Sequence, residues 1–228
     1  MQNKQFWTNK KVLITGGTSG LGKALSEELI RQKAKVSVVA RSPSPINEKI
    51  HFIQGDVSDQ HQIHRIYAEA LQQLGSIDVL INSASTLGPT PLRLLLDTEC
   101  EDLSQVLETN LLAPFRLSKL VLASMILDHQ GIIVNISSDA AVNPYPKWGA
   151  YSVSKAALDH LTRIFQAELA DTDIKFMALD PGDMDTPMHL AAIPDADRTS
   201  LNKPEDSAKL ILDQIADENF SPARRSIR

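Results

Sequence analysis

The sequence predicts an α/β fold: one doubly wound parallel sheet of six or seven strands, with helices on both faces. Three observations lead there. Strand-like apolar runs alternate with helix-period segments along most of the chain, and such alternation packs as right-handed parallel crossovers. The first strand runs into a helix through a glycine-rich turn, Gly16–Gly22. A chain of 228 residues with 43% hydrophobic content fits one α/β core. No repeat, linker or low-complexity stretch divides it, so residues 1–228 read as a single domain.

Taken in order, Val12, Leu13 and Ile14 make Lys11–Thr15 a short buried-strand pattern. Beyond the glycines, Leu25, Leu29 and Ile30 recur at helical spacing, and Lys35–Ala40 reads as the second strand. Pro43 and Pro45 then oppose a helix, which predicts a loop crossover to a third strand, His51–Gln54. Its nine residues reach roughly 30 Å at about 3.3 Å each. That is enough to return along a strand of roughly 17–20 Å. Gln60–Leu74 sets Ile63, Ile66, Tyr67, Ala70, Leu71 and Leu74 on one stripe, with Asp59 as the cap. A strand at Ile77–Asn82 follows, then a long helical stretch, Glu99–Asp128, interrupted near Asn110 and Pro114. Gly131–Ser137 and Asp173–Asp180 are strands, Tyr151–Ala170 and Glu205–Glu218 helices, and the sheet has either six strands or a short seventh from Phe220 onward.

Composition narrows the function classes. A net charge of −5 with a pI near 5.7 argues against a nucleic-acid or anionic-membrane surface. The basic end "ARRSIR" reads as a solvated tail. Cys100, the single cysteine, excludes an intrachain disulfide and suits a reducing compartment; it reads as structural. No apolar run is expected to reach the roughly 18 residues of a membrane span. "MQNKQFWTNK" lacks a signal-peptide core, so the expected location is cytoplasmic. His61 and His64 stand at i, i+3, but two imidazoles do not make a metal site and no metal is expected.

Strand, glycine-rich turn and helix form a phosphate-binding layout: glycines let the backbone approach a pyrophosphate, and the helix N-terminus offers free N–H groups. Tyr151 and Lys155 lie four apart and share a helix face. A cation beside a phenol favours the phenolate and lowers a pKa that is ordinarily ~10. Ser137 and Ser138 follow a strand at its C-terminal end, where open parallel sheets bind ligands.

Thr15–Gly22 spaced T-G-x-x-x-G-x-G, the Y-x-x-x-K pair and the upstream serine resemble the short-chain dehydrogenase/reductase family, from about Lys11 to Pro187. "INSAS" at Ile81–Ser85 is similar to the family's N-N-A-G, Asn110 matches its helix asparagine, and Asp180–Thr186 resembles its proline-glycine loop. The resemblance implies a Rossmann-type fold and a carbonyl-reductase-like enzyme. Such an enzyme moves hydride between a nicotinamide and a small-molecule carbonyl or secondary alcohol. It implies cofactor contacts from Gly16, Thr18, Ser19, Gly20, Leu21 and Gly22, from Asp56 and Val57 at the adenine, from Asn82 and Ala84, and from Pro181, Gly182, Met184 and Thr186 at the nicotinamide. Asp56 alternatively serves as a turn residue. Ser138 would hold the substrate oxygen and Tyr151 would protonate it. Lys155 would bind the nicotinamide ribose and lower the Tyr151 pKa, and Asn110 would hold a water linking Lys155 to solvent.

The second strand ends in Ala40 where an acidic residue would favour NAD(H); Arg41 and Ser42 follow. Arg41 suits a 2′-phosphate, so NADP(H) is favoured over NAD(H). Pro144, Tyr145, Trp148 and Met184 are candidate pocket walls, Tyr145 and Trp148 equally being packing or interface residues. The chain departs from the family in several places: Lys33 and Ser85 replace common glycines, Asp183 and Met184 are less typical of its loop, the crossover after Arg41 lacks the usual helix, and the C-terminal strand motif is missing. A homodimer or homotetramer is expected through the Glu99–Asp128 and Tyr151–Ala170 helices. The rival to an enzyme is a non-catalytic dinucleotide-binding sensor or scaffold.

Overall fold

The computed structural model describes residues 5–217 and 224–227. Seven strands form one sheet: β1 (Lys11–Thr15), β2 (Lys35–Ala40), β3 (His51–Gln54), β4 (Val79–Asn82), β5 (Gln130–Ile136), β6 (Asp173–Asp180) and β7 (Arg225–Ser226). The order is β3-β2-β1-β4-β5-β6-β7, with every pairing parallel. The order reverses between β1 and β4, so the turns leaving those two strands diverge and open a crevice at their C-terminal ends.

Helices cover both faces: α1 (Gly20–Arg31), α2 (Ile63–Leu74), α3 (Cys100–Leu107), α4 (Ala113–Leu127), α5 (Gly149–Glu168), α6 (Pro187–Ala192) and α7 (Pro204–Ile215). Leu25 and Leu29 of α1 and Ile211 and Leu212 of α7 pack on one face with Val12, Ile14 and Val134. Trp7 joins them and donates its indole N–H to the Leu212 carbonyl at 3.3 Å. On the other face Ile66 and Ala70 of α2 and Leu117 and Val121 of α4 meet Leu13, Leu80 and Ile133. Strand residues buried on both sides explain the unbroken apolar runs in β1, β4 and β5.

Several boundaries differ from the sequence expectation. β4 starts at Val79, β5 spans Gln130–Ile136, α2 starts at Ile63 and α5 begins at Gly149. The expected break near Asn110 and Pro114 is instead a π-turn, Glu108–Leu112, joining α3 to α4 without interruption. A proline has no N–H to donate, and a widened turn absorbs the broken ladder while the axis continues. The resulting 28-residue helix, Cys100–Leu127, does match a membrane span in length and composition, contrary to the expectation that no run would. Leu117, Val121 and Met125 along it are fully buried in the core, as befits a central helix of an α/β domain.

The crossover from β2 to β3 contains no helix, and Glu27 of α1 pins it by accepting from the Asn47 N–H at 2.9 Å. Lys33 ends α1 at φ 65°. Its N–H bonds the Ile30 carbonyl and the Ala34 N–H bonds Leu29, a Schellman cap formed without glycine. Among the described residues the seventh strand covers Arg225–Ser226; Phe220 and Glu218 lie outside the described residues.

Candidate active site

The turns after β1, β2, β3, β4, β5 and β6 surround one cleft of about 810 Å³. Its floor is the glycine loop. Gly16 has φ +71°, and a Cβ there would sit 2.9 Å from the Ala84 Cα. A Cβ on Gly22 would strike the Gly16 carbonyl oxygen. Thr15 Oγ1 accepts from the Ser83 and Ala84 N–H groups, both at 3.1 Å, and locks the β1 and β4 turns together. The loop then delivers α1 with its free N–H groups facing the cleft, a cradle that side chains would fill and that fits a pyrophosphate.

Gly16, Thr18, Ser19, Gly20, Leu21 and Gly22 line this floor. Arg41 and Ser42 line the rim beyond β2, Asp56 and Val57 the rim beyond β3, and Ala84 the turn after β4. Arg41 is exposed, and its guanidinium makes no ion pair among the described residues. Asp56 also serves as a turn residue, its Oδ1 accepting from the N–H and Oγ of Ser58 at 2.9 and 2.7 Å. Asp59 closes the next turn by accepting from the His61 N–H. Asn82 lies elsewhere: it is buried at the end of β4, outside the cleft lining, and donates to Asn135 Oδ1 at 2.8 Å. Pro181, Gly182, Met184 and Thr186 form the opposite wall, with the Thr186 methyl 3.4 Å from the place of a Cβ on Gly20. Thr186 also caps α6 by accepting from the His189 N–H.

Ser138, Tyr151 and Lys155 meet at one end of this cleft. Ser138 leaves β5 extended; its Oγ accepts from the Ala140 N–H and contacts Asp139 Oδ1, both at 3.2 Å. Tyr151 and Lys155 are buried on the inner face of α5. Burial pushes the Tyr151 phenol up to about 12, against hydrogen bonding from Ser138 and Ser85, with the Asp180 and Asp139 carboxylates pushing the same way as burial. The expected lowering by Lys155 is not present. The lysine Nζ lies 5.6 Å from the phenol ring centroid and donates to the Ile136 carbonyl at 2.7 Å. Burial holds Lys155 down at about 8, with Asp159 opposing.

The Asn110 side chain is fixed by protein on all sides. Its Oδ1 accepts from Ser85 Oγ at 3.1 Å and the Thr86 N–H at 2.8 Å, and its Nδ2 donates to the Thr86 carbonyl and Ser154 Oγ, both at 2.9 Å. The amide is thus filled by protein and braces the β4 turn against α5. Ser85 takes this role with no positive φ, so the missing glycine leaves the turn unstrained.

Trp148 stacks edge-on against Tyr151 at 5.8 Å, and Leu87, Leu92, Met188 and Ala192 complete an apolar nest around the phenol. Tyr145 also lines the cleft and donates to Asp139 Oδ2 at 2.8 Å; Pro144 is exposed outside it. The sequence reading missed Leu87, Asp139, Met188 and His189 here. Adjacency to Ser138 was a usable signal for Asp139. Met188 and His189 come from a segment, Pro187–Ala192, whose helical character six residues are too few to announce, and Leu87 from the irregular turn after β4.

Comparison with known proteins gives the family and the fold. The family model for short chain dehydrogenases matches residues 10–196. A 3-oxoacyl-(acyl-carrier-protein) reductase of Thermotoga maritima is 32% identical over 92% of each chain. A 2-(R)-hydroxypropyl-CoM dehydrogenase of Xanthobacter autotrophicus is 29% identical over 79% of this chain and 76% of its own. Among solved structures, ElxO with NADP bound superimposes with a TM-score of 0.83 at 30% identity, over 96% of this chain and 97% of that one.

Proposed function

The chain belongs to the short-chain dehydrogenase family of nicotinamide-dependent oxidoreductases that act on CH–OH groups, and from that premise we propose that it is an NADP(H)-dependent carbonyl reductase with Tyr151 as its proton donor. The observation that carries this reading is the convergence of Ser138, Tyr151 and Lys155 at the apolar end of the glycine-floored cleft. The bound nicotinamide would supply the hydride. Gly16, Thr18, Ser19, Gly20, Leu21 and Gly22 would hold its pyrophosphate, Asp56 and Val57 its adenine, and Pro181, Gly182, Met184 and Thr186 its carboxamide end. Arg41, exposed beside Ser42, supports NADP(H) over NAD(H).

In this mechanism Ser138 Oγ donates to the substrate carbonyl oxygen and stabilises charge developing there. Tyr151 gives its proton to that oxygen. A phenol held near 12 is protonated at neutral pH, the form a proton donor requires. Lys155 would hold the ribose hydroxyls from its buried position on α5. Cations are scarce at the substrate end: besides Lys155 and the tyrosines Tyr145 and Tyr151, the charged or titratable groups lining it are Asp139, Asp180, Asp183 and His189. Together with Trp148, Leu87 and Met188, they suit a compact, uncharged carbonyl compound better than a keto acid or phosphate ester.

The test is NADPH oxidation with uncharged aldehydes, ketones and diketones, beside keto acids of matching size. Faster turnover of the uncharged members is expected. NADPH binding with no carbonyl reduced would instead favour a non-catalytic sensor or scaffold. A twofold assembly through α4 and α5, in a reducing, cytoplasmic setting, belongs to the same proposal.

A further inference from the structure

Behind the candidate catalytic groups lies a buried ionic bracket that the mechanism above does not use. Arg224, in the C-terminal tail just before β7, reaches under the end of β5. Its Nε bonds Asp159 Oδ2 at 2.8 Å, and its Nη2 bonds the Ser138 carbonyl at 2.7 Å and Asp180 Oδ2 at 3.3 Å. Asp159 and Asp180 retain only 5% and 2% of their accessible surface. Two carboxylates so buried require a cation between them. Asp159 stands one turn beyond Lys155 on the same face of α5, and Asp180 ends β6, where its Oδ1 accepts from the Gly182 N–H at 3.0 Å. Ser226 Oγ and the Ile227 N–H hold the tail to Asp180 from the other side, at 3.2 and 2.8 Å. One side chain, 38 residues beyond Thr186 at the end of the last family motif, therefore ties together the ends of β5, β6 and α5.

We infer that Arg224 is a positioning residue for the reaction: its guanidinium fixes the Ser138 main chain and joins it to Asp159 and Asp180, so that the C-terminal tail sets the attitude of the serine hydroxyl. Ser138 enters the cleft extended at φ −158°, and within its own segment its carbonyl accepts only from the Ala141 N–H at 3.1 Å. The short fixed contact from Arg224 is the second restraint on that peptide. The bidentate, planar guanidinium matches the task, because it meets a carboxylate and a carbonyl at once from fixed directions.

The kinetic arm of the test rests on the reductase reading; a second arm does not. Arg224→Met should lower kcat at saturating NADPH by about tenfold or more while the KM for NADPH changes by less than about threefold. Arg224→Lys, which keeps a cation in the bracket, should recover most of the loss. In a Ser138→Ala background the same Arg224→Met change should cost less than about threefold, because residues acting as one unit are not additive. Losses that multiply in the double variant, or a wild-type kcat in Arg224→Met, would overturn the inference. Hydrogen exchange needs no substrate: in Arg224→Met, or in Arg224→Gln if the methionine variant folds poorly, the amides of residues 137–141 should exchange faster while those of β1 and α2 stay protected. Unchanged exchange there, or faster exchange throughout the sheet, would reject a local positioning role even if no carbonyl is reduced by the wild type.

Discussion

Tyr151 and Lys155, one turn apart on α5, are displaced in opposite directions by the same burial. The phenol rises to about 12 and the ammonium falls to about 8. Removing water disfavours whichever form is charged, so the acid stays neutral and the base loses its proton early. A pH profile of kcat/KM for reduction should therefore show an alkaline limb near pH 8 that belongs to Lys155, and no limb from Tyr151 below pH 10. A profile flat to pH 10 would contradict this. Stability follows with a definite sign. Between about 8 and 10.5 the unfolded chain holds the lysine proton more tightly, so stability rises with pH through that window. Between 10 and about 12 the folded chain holds the tyrosine proton more tightly, so stability falls there. Urea midpoints taken across both windows measure each part. Arg41 carries a separate prediction. A charge-assisted contact to a 2′-phosphate contributes roughly 1.5–3 kcal/mol, or about 10–150-fold in affinity. Arg41→Ala should lose that factor for NADPH and leave NADH affinity nearly unchanged; equal wild-type affinities for the two would remove Arg41 from the account.

At the scale of elements, Lys33 offers a compact test of why α1 ends where it does. A non-glycine residue in the left-handed region costs about 1–2 kcal/mol, while glycine adds roughly 0.5–1 kcal/mol of unfolded-state entropy. Lys33→Gly should thus raise the melting temperature by roughly 2–4 °C, the shift of about 1 kcal/mol in a domain this size. A lower melting temperature would show that the Lys33 side chain contributes elsewhere. The same helix illustrates what was legible beforehand. Its strand–turn–helix context could be read because Val12–Ile14, the glycines and Leu25–Leu29 are all local signals. So were the prolines at 43 and 45, which predicted the helix-free crossover. The π-turn at Glu108–Leu112 was not, since a proline signals a broken ladder without saying whether the axis breaks or widens. The filled amide of Asn110 was not legible either, because its four partners come from the β4 turn and α5, distant in sequence. Arg224 read as a solvated tail for the same reason: its partners lie 44 to 86 residues away.

On the scale of the whole molecule, the sheet places every proposed site group except Arg224 at strand ends or on the helices that follow them. The outer faces carry a different message. Val153 and Ile164 of α5 are 49% and 42% exposed, and Ile126 and Leu127 of α4 are 45% and 81% exposed. Apolar positions beyond the needs of one core suit a twofold, self-complementary contact. Light scattering should give about twice the 25.1 kDa of one chain at micromolar concentration, and a value near one chain would reject the assembly. The central claim is that the whole fold serves to set a buried tyrosine proton against a carbonyl oxygen. Single-turnover reduction by NADPH-loaded Tyr151→Phe, using the carbonyl compound that wild type reduces fastest, tests it most directly. The account predicts that NADPH affinity survives, since the glycine loop and Arg41 are untouched, while the reduction step slows by at least ~10²-fold, the low end for a general acid. Reduction by Tyr151→Phe at close to the wild-type rate would contradict it.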